Sequence, residues 1–217
     1  MPYIIRPPRL RSTIATFGAS LLLGAAPAQA AKSSSGSTST TTEVTKVSQC
    51  VEPKLTQPFL SFGDAHYYTL APGQAVGNFE GKGWTLSGGA SIKKTTLYNG
   101  ASGSVLDMPG GSKAVSPNFC VTSEYPTART FVRNVLGASG VFFNVSYLGT
   151  KTWETPKNTG QFHGEGTGAW TLPPPINMQP ENTLGWQIVR LTLIAGGTSS
   201  TTDYQLYNLY IDPYVRR

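Results

Sequence analysis

The feature that most constrains the fold is a series of short runs of β-branched and aromatic residues, without sustained helical periodicity, from residue 50 onward. Glycine, proline, asparagine and serine separate the runs at intervals of roughly 8 to 12 residues, a spacing typical of all-β sandwiches. The connections are too short to contain the helices of an α/β fold. The sequence therefore predicts an all-β fold, an antiparallel β-sandwich. The predicted strands cover residues 66–70, 84–94, 104–108, 113–122, 128–135, 141–149, 151–155, 185–195 and 203–212.

Alternation within the longest runs predicts which side chains share a face, because successive side chains of a strand point to opposite faces of the sheet. The residues that share a face are Val141, Phe143, Val145 and Tyr147 in one run and the wholly apolar, core-facing Val189, Leu191 and Leu193 in another. In the final run, one side carries Leu206, Asn208 and Tyr210, and the other carries Tyr207, Leu209 and Ile211. Pro213 follows, and proline cannot continue a hydrogen-bonded ladder.

The stretch NFEGKGWTLSGGASI, residues 78–92, combines two large aromatic residues with several glycines. Phe79 and Trp84 have the bulk to fill the space between two sheets. Gly88 and Gly89 permit a bulge before the second strand resumes. We therefore expect this stretch to form the first hairpin of the core.

Residues 1–30 have the pattern of a secretory signal peptide. A region with three arginines precedes an apolar run at 15–26, and Ala28-Gln29-Ala30 supplies the small-x-small pattern of a cleavage site. The apolar run is shorter than the roughly 20 apolar residues that span a bilayer. We expect cleavage after Ala30 and a secreted, extracellular protein with no membrane insertion after cleavage.

The segment that follows, residues 31–49, is rich in serine and threonine and predicts a flexible linker. Residues 50–217 are then sufficient for a single domain. The first 30 residues hold three of the 17 basic side chains and none of the 11 acidic ones, so the net charge falls from +6 to +3 on cleavage. Because lysines and arginines are scattered rather than clustered, we expect no binding of nucleic acid.

The two cysteines, Cys50 and Cys120, predict a disulfide, since an even number of cysteines in an oxidising compartment favours pairing. The bond would close a loop of about 70 residues and contribute on the order of 4 kcal/mol in the chain-entropy model. The alternative is a nucleophile or a metal ligand. No CxxC pattern supports that alternative, and both histidines are distant in sequence.

The order Asn78-Phe79-Glu80, followed by Gly83-Trp84, resembles the N-terminal signature of jelly-roll carbohydrate-binding modules and of the wider galactose-binding-like sandwiches. The resemblance implies a β-sandwich of jelly-roll type. It also implies a structural calcium, held by the glutamate and by an acidic residue of a late strand. Here the candidate ligands are Glu80, Asn208 and Asp212, although a neutral asparagine binds calcium less strongly than a carboxylate. The alternative is that Glu80 caps a turn by accepting backbone hydrogen bonds.

Most of the mature chain also resembles a group of small secreted proteins of actinobacteria that lack an assigned activity. This second resemblance implies the fold and the compartment, and no chemistry. The segments that support it are residues 57–73, 83–92, 116–120, 126–129 and 210–214.

Aromatic side chains that stack on sugar rings are the candidates for glycan binding. Trp153 and Trp170 lie among polar and turn-forming residues, which predicts loops, whereas Trp84 and Trp186 begin apolar strands and are expected in the core. The alternative is that Trp153 and Trp170 only anchor their loops. His163, near Trp170, is the third candidate ligand residue.

An enzymatic interpretation begins with His163 and Glu165, which are two residues apart and would point to one side of an extended segment. Tyr147 or Arg129 would have to complete such a site. No GxSxG, HExxH or paired-carboxylate motif is present, so we expect no catalysis and no cofactor apart from the possible calcium. His66 is expected to contact either Asp64 or a backbone carbonyl.

The function predicted from the sequence is a secreted, non-catalytic β-sandwich that binds a glycan or another extracellular polymer through aromatic residues of loops or of a concave face. One alternative is a cell-envelope structural or protein-interaction module without a sugar site. Another is a jelly-roll enzyme that degrades polysaccharides.

Overall fold

The computed structural model describes residues 43–164, 166, 168–179 and 184–214. The predicted signal peptide, and residues 31–42 of the predicted linker, lie outside this range. In the described residues, two short 3₁₀ helices, Val47–Gln49 and Leu60–Phe62, accompany two antiparallel sheets. A membrane-spanning helix is absent from the described part of the chain.

The seven-stranded sheet consists of β1 (Thr69–Leu70), β3 (Ser91–Thr96), β4 (Ser102–Pro109), β7 (Thr127–Leu136), β10 (Trp170–Thr171), β11 (Ile176–Asn177) and β13 (Asp203–Asp212). Its order is β10-β7-β13-β4-β3, with β1 paired to β13 and β11 paired to β7.

The six-stranded sheet consists of β2 (Thr85–Ser87), β5 (Lys113–Val115), β6 (Phe119–Thr122), β8 (Val141–Tyr147), β9 (Lys157–Phe162) and β12 (Trp186–Ala195). Its order is β2-β5-β12-β8-β9, with β6 also paired to β12. The chain passes from one sheet to the other at most connections, as in a jelly roll. The predicted all-β, jelly-roll β-sandwich is thus confirmed.

The main core lies between the two sheets, and the predicted alternation is confirmed there. Apolar side chains of β8 and β12 that were predicted to share a face are buried in it, with Val145, Val189 and Leu191 fully enclosed. Phe79 and Trp84 join the same core, with ring centroids 5.0 Å apart. Residues predicted to be apolar and inward therefore hold the sheets together.

The stretch at 78–92 is not a hairpin, contrary to the prediction. Its first strand, β2, belongs to the six-stranded sheet and its second, β3, belongs to the seven-stranded sheet. Gly88 has a φ of +64°, and a Cβ there would lie 2.9 Å from the carbonyl oxygen of Gly111. The glycine pair therefore turns the chain around the edge of the sandwich, where only glycine fits.

The prediction that side chains alternate strictly between the two faces along β13 is also wrong in one place. A register shift lies between Tyr207 and Tyr210, and Asn208 has a φ of +52°, in the left-handed region that asparagine tolerates. As a result Leu206, Leu209 and Ile211 all reach the main core, while the two tyrosines face outward.

The strand predicted at 151–155 is reduced to a single bridge between Leu148 and Trp153. The strand β9 was missed, because its sequence KNTGQF has no β-branched or alternating apolar pattern. It lies at the edge of its sheet, where backbone hydrogen bonds to β8 hold it without a strong side-chain signal.

A second hydrophobic cluster lies on the outer face of the seven-stranded sheet. Phe59, in a segment that crosses this face, packs its ring 5.2 Å from Tyr68 and 5.4 Å from Tyr210, measured between centroids. Val105 and Phe131 belong to the same cluster. The segment that carries Phe59 therefore covers part of the outer face of the seven-stranded sheet, and the remainder of that face is not covered by it.

The predicted disulfide between Cys50 and Cys120 is confirmed, with an S–S distance of 2.00 Å. It joins the segment before β1 to Cys120 in β6, 70 residues further along the chain.

Candidate functional site

The outer face of the seven-stranded sheet is concave. Its order places β10 and β3 at opposite edges, which in a flat sheet would lie about 19 Å apart at roughly 4.8 Å per strand. The indole Nε1–H of Trp170, on β10, nevertheless donates to the carbonyl oxygen of Thr96, on β3, at 2.9 Å. The sheet therefore curls until a single side chain connects its two edges.

A line of polar side chains crosses this concave face at one register position. Trp170 lies opposite Arg133, Arg133 opposite Gln205, Gln205 opposite Asp107, and Asp107 opposite Ser91. Residues directly opposite each other in antiparallel strands project to the same face. We call these five residues the polar row.

Hydrogen bonds connect three of the five members of the polar row. Gln205 Nε2 donates to Asp107 Oδ1 at 2.8 Å, and Arg133 Nη2 donates to Gln205 Oε1. The guanidinium carbon of Arg133 lies 4.9 Å from the centre of the Trp170 ring, in a cation–π contact. These contacts hold Asp107, Gln205, Arg133 and Trp170 against one another.

The charges around the polar row are balanced. Lys93 Nζ lies 2.7 Å from Asp107 Oδ2, and the lysine side chain is 54% exposed while that of the aspartate is 2% exposed. The hydrogen bond to Asp107 raises the pKa of Lys93. Burial, together with repulsion from Asp107, raises the pKa of Asp203. The concave face therefore combines a lysine and an arginine with the carboxyl groups of Asp107 and Asp203.

Two buried polar atoms beside the row lack a hydrogen-bond partner among the described residues, namely Arg133 Nε and Asp203 Oδ1. Buried polar groups are nearly always satisfied, so each such atom requires a local explanation such as water or a ligand.

An exposed pair of aromatic rings stands beside the polar row. Phe62 and Tyr98 are 39% and 52% exposed, and their ring centroids lie 5.4 Å apart. The backbone N–H of Tyr98 donates to the hydroxyl of Tyr207, whose ring in turn meets the Trp170 ring edge-on at 4.8 Å. The concave face therefore has an aromatic rim that is open to solvent.

The two predicted tryptophans do not share a surface. Trp170 lies in β10 rather than in a loop, is half-buried, and belongs to the polar row. Trp153 is also half-buried, with the Arg190 guanidinium carbon 4.3 Å from its ring centre. Arg190 projects from the outer face of the six-stranded sheet, since its neighbours Val189 and Leu191 point into the core. The two rings thus lie on opposite sides of the sandwich.

His163 is exposed and lines a groove of about 500 Å³ together with Pro173, Pro174 and Pro175. Its predicted partner Glu165 lies outside the described residues, so that pairing stays a prediction.

The other members of the predicted enzymatic site have different partners. The buried Tyr147 hydroxyl donates to the Met178 carbonyl at 3.2 Å. Arg129 forms an ion pair with Asp64, on a different segment of the chain.

His66 contacts Asp64, the first of the two alternatives. The Asp64 carboxylate accepts from His66 Nδ1 and from the Tyr68 hydroxyl, both at 2.8 Å, as well as from Arg129. Burial alone would raise the pKa of Asp64. The hydrogen bonds from the His66 amide, Tyr68, the His66 ring and Arg129 outweigh burial and lower that pKa to about 2.

The three candidate calcium ligands contact other parts of the protein. Glu80 Oε2 lies 2.7 Å from Lys82 Nζ, Asn208 Oδ1 accepts from the Gly77 N–H at 2.7 Å, and Asp212 Oδ1 accepts from the Tyr214 N–H at 3.1 Å. The described residues contain no group of three or more His, Cys, Asp or Glu that could hold a metal ion. Calcium at Glu80 stays a prediction.

Most of the polar row was missed from the sequence. Asp107, Arg133 and Gln205 occur singly in three different strands, each flanked by residues of the opposite face. Their period-2 positions mark them as outward-facing polar residues, but only the strand order and register bring them together.

No protein-family model matches the chain, and no curated protein matches it. Among solved structures it is similar to the xylan-binding CBM22-1 domain of Paenibacillus barcinonensis Xyn10C, with 14% identity, a TM-score of 0.41, and coverage of 62% of this chain and 88% of that one. It is also similar to TmCBM61, solved with β-1,4-galactotriose, with 12% identity, a TM-score of 0.35, and coverage of 63% and 90%.

A third similar structure is the family 11 carbohydrate-binding module of the cellulosomal cellulase Lic26A-Cel5E of Clostridium thermocellum. It shows 10% identity and a TM-score of 0.34, with coverage of 62% of this chain and 89% of that one. The structural neighbours therefore include carbohydrate-binding modules built as β-sandwiches. Likeness of this degree carries no inference about the ligand of this chain.

Proposed function

We propose that the chain is a secreted, non-catalytic β-sandwich that binds a glycan on the concave face of its seven-stranded sheet. The observation on which the proposal rests is the polar row, a connected series of planar polar side chains with an exposed aromatic rim beside it. The proposed site thus differs from the sequence-based one, of which it keeps only Trp170.

The chemistry of the row suits sugar hydroxyl groups. A carboxylate, an amide and a guanidinium each offer two hydrogen-bonding atoms in a plane, and neighbouring hydroxyls of a pyranose present donors and acceptors at similar spacing. Because Asp107, Gln205 and Arg133 already fix one another, little side-chain entropy remains to be lost on binding. The nearly balanced charge favours a neutral glycan.

The aromatic rim supplies the apolar part of such a site. Sugar rings have apolar faces that pack on planar side chains. Tyr98 and Phe62 expose ring surface next to the row, whereas the Trp170 ring is already covered by Arg133 on one face. Stacking is therefore assigned to the exposed pair, and Trp170 orients the arginine.

The disulfide supports one part of the proposal, namely that the protein is exported. Structural disulfides persist in oxidising compartments and are rare in the cytosol. The Cys50–Cys120 bond is consistent with the signal peptide and cleavage after Ala30 that the sequence predicts. Amino-terminal sequencing of the exported protein tests this, and a protein that starts at Met1 would contradict it.

The binding test is affinity electrophoresis on plant, fungal and bacterial polysaccharides. We expect retention by at least one polymer, loss of retention in Tyr98→Ala, and an unchanged melting temperature, since that ring is 52% exposed. Trp153→Ala, on the opposite side of the sandwich, is the matched aromatic control and should remain retained. Equal loss in both variants, or no retention of the parent protein by any polymer, would refute the proposal.

The alternative, a cell-envelope protein-interaction module, is favoured by the same exposed pair of rings, Phe62 and Tyr98, since apolar exposed surface also suits a protein partner. It predicts no retention on polysaccharides. The enzymatic alternative predicts release of reducing ends or unsaturated products from the retained polymer, with His163→Ala as the inactive control.

A further inference from the structure

The segment at residues 43–55 lies beside the sandwich and outside both sheets. It contains the short 3₁₀ helix Val47–Gln49, and none of its residues belongs to a strand. Together with β1, β6 and β13 it lines a cavity of about 330 Å³. It therefore passes over a place where the two sheets approach each other, because β1 and β6 belong to different sheets. We call residues 43–55 the strap.

Few hydrogen bonds connect the strap to the rest of the domain. The Gln49 side chain accepts from backbone groups within the strap itself. Among the described residues, one hydrogen bond leaves the strap, from the Tyr214 hydroxyl to Glu52 Oε1 at 3.3 Å, and it is exposed. The backbone bonds between Thr56 and Tyr68 begin just beyond the strap. The strap is thus only loosely attached by hydrogen bonds.

The strap also buries little of its own surface. None of its residues is buried, and Val47 and Val51 are 52% and 77% exposed. Half-buried side chains and one exposed hydrogen bond contribute little stability. The covalent bond from Cys50 to Cys120 is therefore the principal attachment of the strap.

The surface beneath the strap is mainly apolar. The cavity is lined on the side of the sandwich by residues that include Leu70, Ala71, Phe119 and Ile211. Ala71 and Ile211 belong to the main core, and Phe119 packs against that core. Removal of the strap would therefore bring water to one edge of the main core.

We propose that the Cys50–Cys120 bond is a redox switch: its reduction by a dithiol releases the strap and exposes the apolar edge of the core, while the sandwich stays folded. Both cysteines are half-buried rather than enclosed, so a thiolate of the reductant can reach the bond.

The chemistry of the switch is thiol–disulfide exchange. A thiolate of the reductant attacks one sulfur of the bond, and the other protein sulfur leaves as a thiolate. The second thiol of the reductant then displaces the first protein sulfur from the mixed disulfide. The two protein thiolates take up the two protons that the reductant loses, so the protein gains two thiols and the dithiol becomes a disulfide.

The sandwich has support that does not depend on this bond. The long pairings of β13 with β7 and of β12 with β8 include neither cysteine. The enclosed side chains of the main core, among them Val145, Val189 and Leu191, lie between the sheets and do not line the cavity. Reduction is therefore expected to open the strap before it unfolds the domain.

The test is limited digestion of the full chain by trypsin, before and after treatment with dithiothreitol. Lys46 and Lys54 lie in the strap, and Lys151 lies at an exposed bend outside it. We expect cleavage after Lys46 and Lys54 to become at least about tenfold faster on reduction, because cleavage requires local opening of the chain. Cleavage after Lys151 should keep its rate, and the near-ultraviolet circular dichroism should stay native.

Binding of 8-anilinonaphthalene-1-sulfonate measures the exposed apolar surface. Its fluorescence should rise on reduction and return to the starting value on reoxidation. The double variant Cys50→Ser, Cys120→Ser should show fast cleavage and dye binding without reductant, and should not respond to dithiothreitol. Reduction of the folded parent protein gives the same readouts if that variant does not fold during expression.

Three results would overturn the proposal. The first is unchanged cleavage after Lys46 and Lys54 once thiol titration shows complete reduction, because other contacts would then hold the strap. The second is loss of the near-ultraviolet signal on reduction, because the bond would then support the whole fold. The third is faster cleavage without dye binding, because no apolar edge would be exposed. None of these readouts depends on polysaccharide retention, so the proposed glycan site is tested separately.

Discussion

The Asp64 carboxylate should make the stability of the fold sensitive to acid. It joins Arg129, Tyr68 and His66, and its side chain is only 9% exposed. These contacts favour the ionised form in the folded protein, where the pKa is about 2, compared with an ordinary value of 3.8. The cluster attaches the segment that covers the outer face of the seven-stranded sheet.

The sign and size of the effect follow from that difference. Because the folded-state pKa is depressed, the stabilisation is fully present above about pH 4 and is lost as the pH falls toward 2. A difference of this size corresponds to about 2 kcal/mol of unfolding free energy. Asp64→Asn should lose at least that amount at pH 6, and more if Arg129, with a side chain 13% exposed, is left unpaired.

The assay is urea denaturation of the parent protein and of Asp64→Asn at pH 6, 4, 3 and 2. We expect the difference in unfolding free energy to shrink by about 2 kcal/mol between pH 4 and pH 2. Glu80→Gln is the control, because Glu80 forms an exposed ion pair with Lys82 and such pairs contribute little. A difference for Asp64→Asn that stays constant over the whole pH range would refute the reasoning.

Two further predictions concern covalent and metal stabilisation. Reduction of the Cys50–Cys120 bond should lower the unfolding free energy by about 4 kcal/mol, measured by urea denaturation with and without dithiothreitol, and an unchanged midpoint would contradict this. The predicted calcium at Glu80, Asn208 and Asp212 should stabilise the fold, so EDTA should lower the melting temperature and added calcium should restore it. A melting temperature that EDTA leaves unchanged would contradict the ion.

The alternation of apolar and polar residues along the strands was sufficient to predict the two-layered fold. Period-2 alternation identified Val145, Val189 and Leu191 as members of one buried face, because burial of apolar area determines which side of a strand points inward. The two cysteines were correctly paired, since the count left a single pairing.

Contacts that depend on strand order could not be predicted from the sequence. The glycines at 88 and 89 indicated a turn, but whether the next strand stays in the same sheet depends on pairing with β4 and β5. The shift at Asn208 inverts the facing of half of β13, and asparagine alone does not specify it. Arg133 and Asp107 are 26 residues apart in the chain and belong to one site only because β13 lies between their strands.

The most direct test of the central claim, that glycan binds at the polar row, is to follow the tryptophan indole N–H signals by NMR during titration with an oligosaccharide of the retained polymer. The account predicts that the Trp170 signal and the Gln205 side-chain amide shift while the Trp153 signal stays in place. A shift of Trp153 with Trp170 and Gln205 unchanged would contradict it.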